Sequence, residues 1–377
     1  MKLADYLSHG ENWVFLSFCV AALVQIFYYL FFFTRLAFFR AAPRVHSQTH
    51  PVSVIICARD EAANLTKNLP GVLIQQYATS HEVIVVNDNS FDESKYILEA
   101  YQKAYRQLHI VELKQEARFI NGKKFPLSMG IKSARHEIVL LTDADCVPAS
   151  EFWVDKMQQH YQDGIEIVIG YGALHRRKGV FNKLVRWETM HTALQYLSYC
   201  RAGMTYMGVG RNLSYKKNLF FRQKGFSAHN HLPGGDDDLF INAAATRRNT
   251  AIAIDPDTFT LTDPPSGWRQ WIRQKNRHYT TSKYYKGRHK FLLGLYALSH
   301  FVYYPLFIAA LLVHDYRDVL AVFGIRLLIQ AVILFRVSRK LSESDLFPWF
   351  LILDAWMFLY YLIFSRSLFK RPRPAWN

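Results

Sequence analysis

Residues 13–33, WVFLSFCVAALVQIFYYLFFF, contain one Gln and no charge. A helix of that length matches the roughly 30 Å hydrocarbon core of a bilayer, and few other folds accommodate such a run. It has neither a basic segment before it nor a small-residue cleavage site, so it reads as an anchor and not a signal peptide. Arg35, Arg40 and Arg44 follow it, whereas Asp5 and Glu11 precede it. The positive-inside rule therefore predicts an external N-terminus and a cytosolic domain after the anchor, in a multi-pass protein of the cell membrane.

Apolar character returns at 291–313, 319–337 and 346–364. The first of these predicts a span. The second carries Arg326 and Gln330 and the third Asp354, groups that are costly in lipid and face other helices or a polar cavity. Three C-terminal spans would put Arg366, Lys370, Arg371 and Arg373 outside, against the charge rule; two would leave one apolar segment lying in the interface. The expected division is an anchor at 1–40, a cytosolic domain at 41–290 and a C-terminal membrane region at 291–377.

Between these regions the pattern changes. VSVIICA (52–58), HEVIVVND (81–88), HIVEL (109–113), EIVLLTDAD (137–145) and IEIVIGYG (165–172) are short and rich in β-branched residues, as buried parallel strands are. EAANLTKNLPGVLIQQ, SKYILEAYQKAYRQ and PLSMGIKSAR between them have helical spacing. Strand–helix alternation predicts an α/β domain with a mostly parallel sheet. The formal net charge of +16 calls for an anionic partner. Residues 266–290 hold eight Lys or Arg, no acid, and Trp268, Trp271, Tyr279, Tyr284 and Tyr285. Next to a membrane span, that segment suits an anionic phospholipid surface rather than nucleic acid, the other reading being a solvated basic loop. Cys19, Cys57, Cys146 and Cys200 form no CxxC pair, which argues against a zinc site or a disulfide framework.

Acids collect where strands end, the edge at which open α/β sheets bind ligands. Asp88 ends one strand, with Asp92 after it, and Asp143 and Asp145 end another. At i and i+2 of an extended stretch both side chains point the same way. Two hard oxygen donors suit Mg2+ or Mn2+, with ligand phosphates completing the shell. Asp236, Asp237 and Asp238 follow two glycines in HLPGGDDDLFI. Like charges so close raise one another's pKa, as a general base requires, and the same acids also suit the cap of a helix starting near Leu239. Lys123 and Lys124, after Gly122, are candidates for phosphate binding or a solvated turn. GVGRNLSYKK (208–217) allows close backbone approach but lacks a full GxGxxG, so no dinucleotide site is assigned.

In order and spacing these motifs resemble the inverting family 2 glycosyltransferases of the GT-A fold, the group that includes cellulose and hyaluronan synthases. VSVIICARDEAANL is similar to their first strand and turn, with Asp60-Glu61 where N-E is usual. VIVVNDNSFD resembles VVDDGSTD, with Asn87 in place of the first Asp. GKKFPLSMGI, TDADC, GGDDDL and QKNRH (274–278) resemble the GKxxAL, DxD, (T/G)(E/D)DxxL and QxxRW segments. The likeness covers roughly residues 50–280. It implies a nucleotide-sugar donor, with Asp88 on the base and Ala58, Arg59 and Glu61 lining the nucleotide pocket. Lys123 is implied near the phosphates, and Asp145, helped by Asp143, holds the metal on the diphosphate. Counting back from Leu239 puts the general base at Asp236, and Asp237 one register away remains a candidate. Gln274 and Arg277 are implied over the diphosphate and acceptor. His278 stands where polymer-making members have Trp, which implies a non-processive transfer to a membrane lipid or lipid-linked glycan. The alternatives are a nucleotidyl- or phosphotransferase with the same metal site, and a non-enzymatic membrane scaffold with a degenerate nucleotide fold.

Overall fold

The computed structural model describes residues 10–40, 49–114, 122–162 and 164–365. The charges at Asp5, Arg44, Arg366, Lys370, Arg371 and Arg373 lie outside the described residues. The N-terminal helix α1 (Gly10–Phe27) runs on through a π-helical stretch (Tyr28–Phe33) and a last α-turn (Thr34–Ala37). The domain follows as β1 (Val52–Ala58), α2 (Ala62–Leu73), β2 (His81–Asp88), α3 (Ser94–Ala104), β3 (Leu108–Leu113) and α4 (Lys124–Ser133). It continues with β4 (Ile138–Asp143), β5 (Cys146–Pro148), α5 (Trp153–Gln158), β6 (Ile167–Ile169), β7 (Gly172–Leu174) and α6 (Val180–Arg201). Then come β8 (Leu213–Lys216), α7 (Lys217–Arg222), α8 (Asp238–Ala244), β9 (Thr250–Ile252), β10 (Thr260–Thr262) and α9 (Trp268–Ser282).

Seven strands form one sheet in the order β3-β2-β1-β4-β8-β6-β9, and β5-β10-β7 form a second. The first four strands are parallel, and β8 runs antiparallel to both β4 and β6. Leu65, Leu69, Val72 and Leu98 pack on one face with Val54, Ile56 and Val85; Leu127, Ile131 and the α6 side chains pack on the other with Ile55 and Ile84. Burial on both faces is why these strands read as unbroken apolar runs.

Two expected strands are broken. The run at 137–145 stops at Asp143 and restarts at Cys146, and the run at 165–172 splits into β6 and β7, which join different sheets. Helix α6 escaped the sequence reading because its pattern is not amphipathic: nearly every side chain from Leu184 to Cys200 is covered, by the sheet on one side and membrane helices on the other.

The C-terminal region comprises α10 (Gly287–Val313), α11 (Tyr316–Lys340), a 3-10 segment (Ser344–Trp349) and α12 (Phe350–Ser365). With the N-terminal helix, four segments among the described residues are long and apolar enough to cross a membrane: Asn12–Ala37, Gly287–Val313, Tyr316–Lys340 and Ser344–Ser365. The first and second lie antiparallel, with Phe15 stacked on His314 at one end and Tyr28 OH donating to Leu292 O near the other. The last behaves differently, because both of its ends touch the α/β domain. Trp349 lies under Lys183 Nζ of α6 at 3.8 Å, and Phe364 packs on Trp271 and Tyr279 of α9 at 5.3 and 5.6 Å.

Candidate active site

The parallel register aligns the carboxyl ends of β1, β2 and β4. Ala58 is level with Asn87, and Cys57 with Asp143, so Asp88 and Asp143 emerge at one edge of the sheet. The turn after β1 is held by side chains from the loop after β2. Asp60 has a left-handed backbone (φ 55°), and its Oδ1 accepts from Phe91 N at 2.7 Å. Ser94 Oγ accepts from Glu61 N at 3.1 Å, and Asp92 Oδ2 from Ala62 N at 2.9 Å. Asp92 thus orders the first turn of α2 instead of reaching a ligand. Half-buried Arg59 and Glu61 are left at the cleft edge. Burial, together with Asp145, Asp143 and Asp92, pushes the Glu61 carboxyl up. Asn87, which replaces the usual acid, donates to Glu112 Oε2 at 2.9 Å, and Asn89 donates to Asp88 Oδ1 at 3.2 Å.

The two lysines of GKK divide their work. Lys123 Nζ lies 2.7 Å from Asp143 Oδ1 and 3.3 Å from Asp236 Oδ2, linking the ends of two motifs 93 residues apart. Lys124 is fully buried and donates to Leu232 O at 2.5 Å, so it ties down the loop that carries the acids. A phosphate role for Lys124 is overturned, because its ammonium is already spent inside the fold. Gly122 makes this seam possible: its φ is +70°, and a Cβ there would sit 2.3 Å from Pro233 O.

Asp145 lies on the turn between β4 and β5 and not on an extended strand, so the turn, not the i, i+2 alternation expected above, brings it to Asp143. Ligand atoms of Asp143, Asp145 and Cys146 lie within 4.8 Å of one another. The Cys146 thiol is buried, pushed up by that burial and by Asp145, and donates to Asp145 Oδ1 at 3.2 Å. It is a neutral neighbour, which leaves two hard carboxylates, a donor set that fits Mg2+ or Mn2+ better than zinc. Burial raises the Asp143 carboxyl, but Lys123, Arg211 and Arg277 outweigh it and hold it below the ordinary range. Asp145 is pushed up by desolvation and by Asp143, although its side chain opens into the cleft.

The three successive acids take separate tasks. Asp237 caps α8: its Oδ1 accepts from Asp238 N at 2.7 Å and its Oδ2 from Gly210 N at 2.8 Å. Burial, Asp236 and Asp238 push it up to about 7. Asp238 turns inward, where its Oδ2 accepts from Tyr285 OH at 2.8 Å and from Thr281 Oγ1. Asp236 keeps a carboxylate toward Lys123 at the cleft. The expected helix cap is therefore present, carried by one acid of the three.

Helix α9 closes the cleft. It bears Gln274, Arg277 and His278 at i, i+3 and i+4, one helix face. Lys275 reaches Glu188 Oε2 of α6 at 2.5 Å, fixing the helix. His278 keeps part of its surface open to solvent, while the protein packed around its ring and the cations Lys275, Arg277, Arg211 and Lys123 bring its pKa well below the usual imidazole value. Trp271, Tyr279 and Tyr285 pack inward, so Trp268 and Tyr284 are the large aromatics that 266–290 still exposes.

Arg211 was missed in the sequence. It acts on Asp143, Asp145 and His278 together and is anchored by donating to Gly172 O at 2.6 Å. Its signal was the GVGRN stretch: a Cβ on Gly210 would lie 3.1 Å from Lys123 Nζ, so the backbone there forms the cleft wall.

Residues 53–227 match the family model described as glycosyl transferase family 2. Glycosyltransferase AglE of Haloferax volcanii is 30% identical over 193 residues, which cover 49% of this chain and 58% of that protein. Beta-monoglucosyldiacylglycerol synthase of a Nostoc species is 26% identical over 132 residues, 35% of this chain and 26% of that protein. The chain thus spans little more than half of the first relative and about a quarter of the second. Among solved structures, mannosyltransferase PcManGT from Pyrobaculum calidifontis, in complex with GDP-Man and Mn2+, has a TM-score of 0.56 at 18% identity, covering 93% of this chain and 99% of that one. That likeness shows a shared fold.

Proposed function

We propose that this chain, which carries a glycosyl transferase family 2 domain of GT-A-like fold, transfers one sugar from a nucleoside-diphosphate sugar to a membrane-proximal acceptor with inversion. The observation that carries the reading is the convergence of Asp143, Lys123 and Asp236, paired at 2.7 and 3.3 Å at the carboxyl edge of the sheet.

Asp88 and the turn at Ala58, Arg59 and Glu61 bound the nucleotide side of the cleft. Asp143 and Asp145 are the residues that would hold Mg2+ or Mn2+, which when bound draws charge from the departing diphosphate. Lys123, Arg211, Gln274 and Arg277 surround the leaving group with donors. Asp236 takes the acceptor hydroxyl proton as that oxygen attacks the anomeric carbon from the opposite face. Asp237, with both oxygens accepting from backbone, holds the loop instead. One displacement inverts the centre and leaves no covalent intermediate. A neutral His278 offers a smaller stacking face than Trp, which favours release after one transfer. The membrane helices and the diacylglycerol-directed name of the Nostoc relative support a lipid or lipid-linked acceptor.

The domain is assigned to the cytosolic face, from the arginines after α1. Three helices cross, and the segment Ser344–Ser365 lies under the domain, a course supported by domain contacts at both its ends, Trp349 with Lys183 and Phe364 with Trp271. Ser365 is then on the cytosolic side. A cysteine at Ser365 should react with an impermeant maleimide from the same side as one at Lys178, and opposite one at Asp315; labelling alongside Asp315 refutes this topology.

Purified full chain with Mn2+ should release a nucleoside diphosphate from one member of a nucleotide-sugar panel when acceptor lipid is added. Pyrophosphate release would instead identify a nucleotidyltransferase, and no release across the panel would favour the scaffold.

A further inference from the structure

We propose that the domain-side end of α11 forms a discrete binding site for the headgroup of an anionic phospholipid, separate from the cleft and independent of its chemistry. A cavity of about 640 Å³ opens there, lined by Ala37, Ala331, Val332, Phe335, Phe347 and three cations, Arg336, Arg339 and Lys340. The cavity has two chemically distinct halves. Ala331, Val332 and Phe335 lie on the face of α11 toward the membrane interior, and Val332 and Phe335 are exposed, as a surface for acyl chains requires. One turn further, the cations gather where this helix meets the chain leaving α1.

The cations are oriented but not neutralised. Arg336 stacks over Phe38 at 4.3 Å, Arg339 lies 5.6 Å from the centre of Phe335, and Lys340 donates to Phe39 O at 2.7 Å. Arg40 adds a fourth positive charge within electrostatic reach of Lys340. Among the described residues none of the four forms a salt bridge. The acids next along the chain are engaged elsewhere: Glu343 with Arg186, and Asp345 with Arg186 and Arg176. Four like charges beside an apolar slot repel one another, and aromatic and backbone contacts hold them together without neutralising them. A phosphodiester offers the missing charge, and its acyl chains match the slot. Helix-dipole complementation also favours cations at a helix end, but it needs neither the cavity nor the apolar lining. A free nucleotide phosphate would match the charge and leave the slot unfilled.

Delipidated full chain in neutral detergent, titrated with phosphatidylglycerol or phosphatidylcholine and read by native mass spectrometry, tests the site. One phosphatidylglycerol should be retained preferentially, and Arg336→Gln with Arg339→Gln should weaken that preference by roughly thirtyfold, as expected for two cations near a headgroup. Ala331→Phe, which fills the slot and leaves the charge intact, should lose the same lipid and remains decisive if the double variant does not fold. Lys95→Gln, on α3, should change nothing. Equal retention of both lipids, retention by Ala331→Phe, or displacement by millimolar inorganic phosphate would overturn the proposal.

Discussion

Two clusters of ionisable side chains in this molecule are compensated in opposite ways. Within the membrane helices the buried acid Asp354 is surrounded by partners: Arg326 at 2.8 Å, Gln330 at 2.6 Å, Tyr304 OH at 2.6 Å and His300 at 3.6 Å. Gln25 accepts from Arg326 at 2.6 Å, and Tyr29 OH accepts from Gln330 at 2.9 Å, so α1, α10, α11 and α12 are tied at one point. In the cleft the ratio reverses. Asp143, Asp145, Asp236 and Asp237 face one another across Lys123, with Arg211 and Arg277 further off. Lipid offers no water to a charge, so a membrane cluster persists only when saturated. A cleft left with unsatisfied acids has capacity for a cation and a proton, the usual mark of a functional site. The first cluster holds the fold together; under the proposed function, the second binds and reacts.

Exchanging one acid in each cluster should separate these roles. Asp236→Asn should lower turnover by about two to four orders of magnitude, the range for a general base, while the melting temperature in detergent stays put. If Asp237→Asn alone does this, the base is one residue further on; if neither slows transfer, the cleft acids only cap α8. Asp354→Leu should do the converse, with stability falling by about 3–5 kcal/mol because Arg326 is left buried and unpaired. Adding Arg326→Met should recover most of that loss in chemical denaturation. No recovery would mean that the network sets a unique packing and not merely charge balance.

Asp145→Asn removes charge but not volume. Mn2+-dependent affinity for a nucleoside diphosphate should drop about ten- to a hundredfold, the cost of one interaction with a charged group, with folding intact. Full affinity by calorimetry would take the metal away from the β4–β5 turn. The smallest effect concerns pH. Asp237 is raised from 3.8 to about 7, so the folded state holds its proton more tightly than the unfolded chain. Its contribution makes stability fall as pH climbs from about 4 to about 7, with the penalty complete above that. Asp237→Asn keeps a capping side chain and should flatten this slope in thermal melts across pH. An unchanged slope would mean that other groups set it.

Some of this could be read along the chain. Parallel strands and membrane helices declare themselves because each is a continuous apolar run that either a sheet or lipid must cover, and the acids after β2 and β4 stand out against those runs. The division of labour among Asp236, Asp237 and Asp238 did not show, because three identical residues differ only in what meets them: Lys123, Gly210 N and Tyr285. The Arg326–Asp354 pair was legible as two expensive charges in need of partners, but not as each other's.

Hydrophobic patterning, set by residues within a few positions of one another, thus determined the parallel half of the sheet, the anchor and the edge where ligands would gather. Only tertiary structure decided that Lys124 turns into the fold, that Arg211 joins the acids, and that α12 returns to the domain. Each of these is a meeting of segments tens to hundreds of residues apart, fixed by distance and burial, quantities that exist only once the chain has folded back on itself.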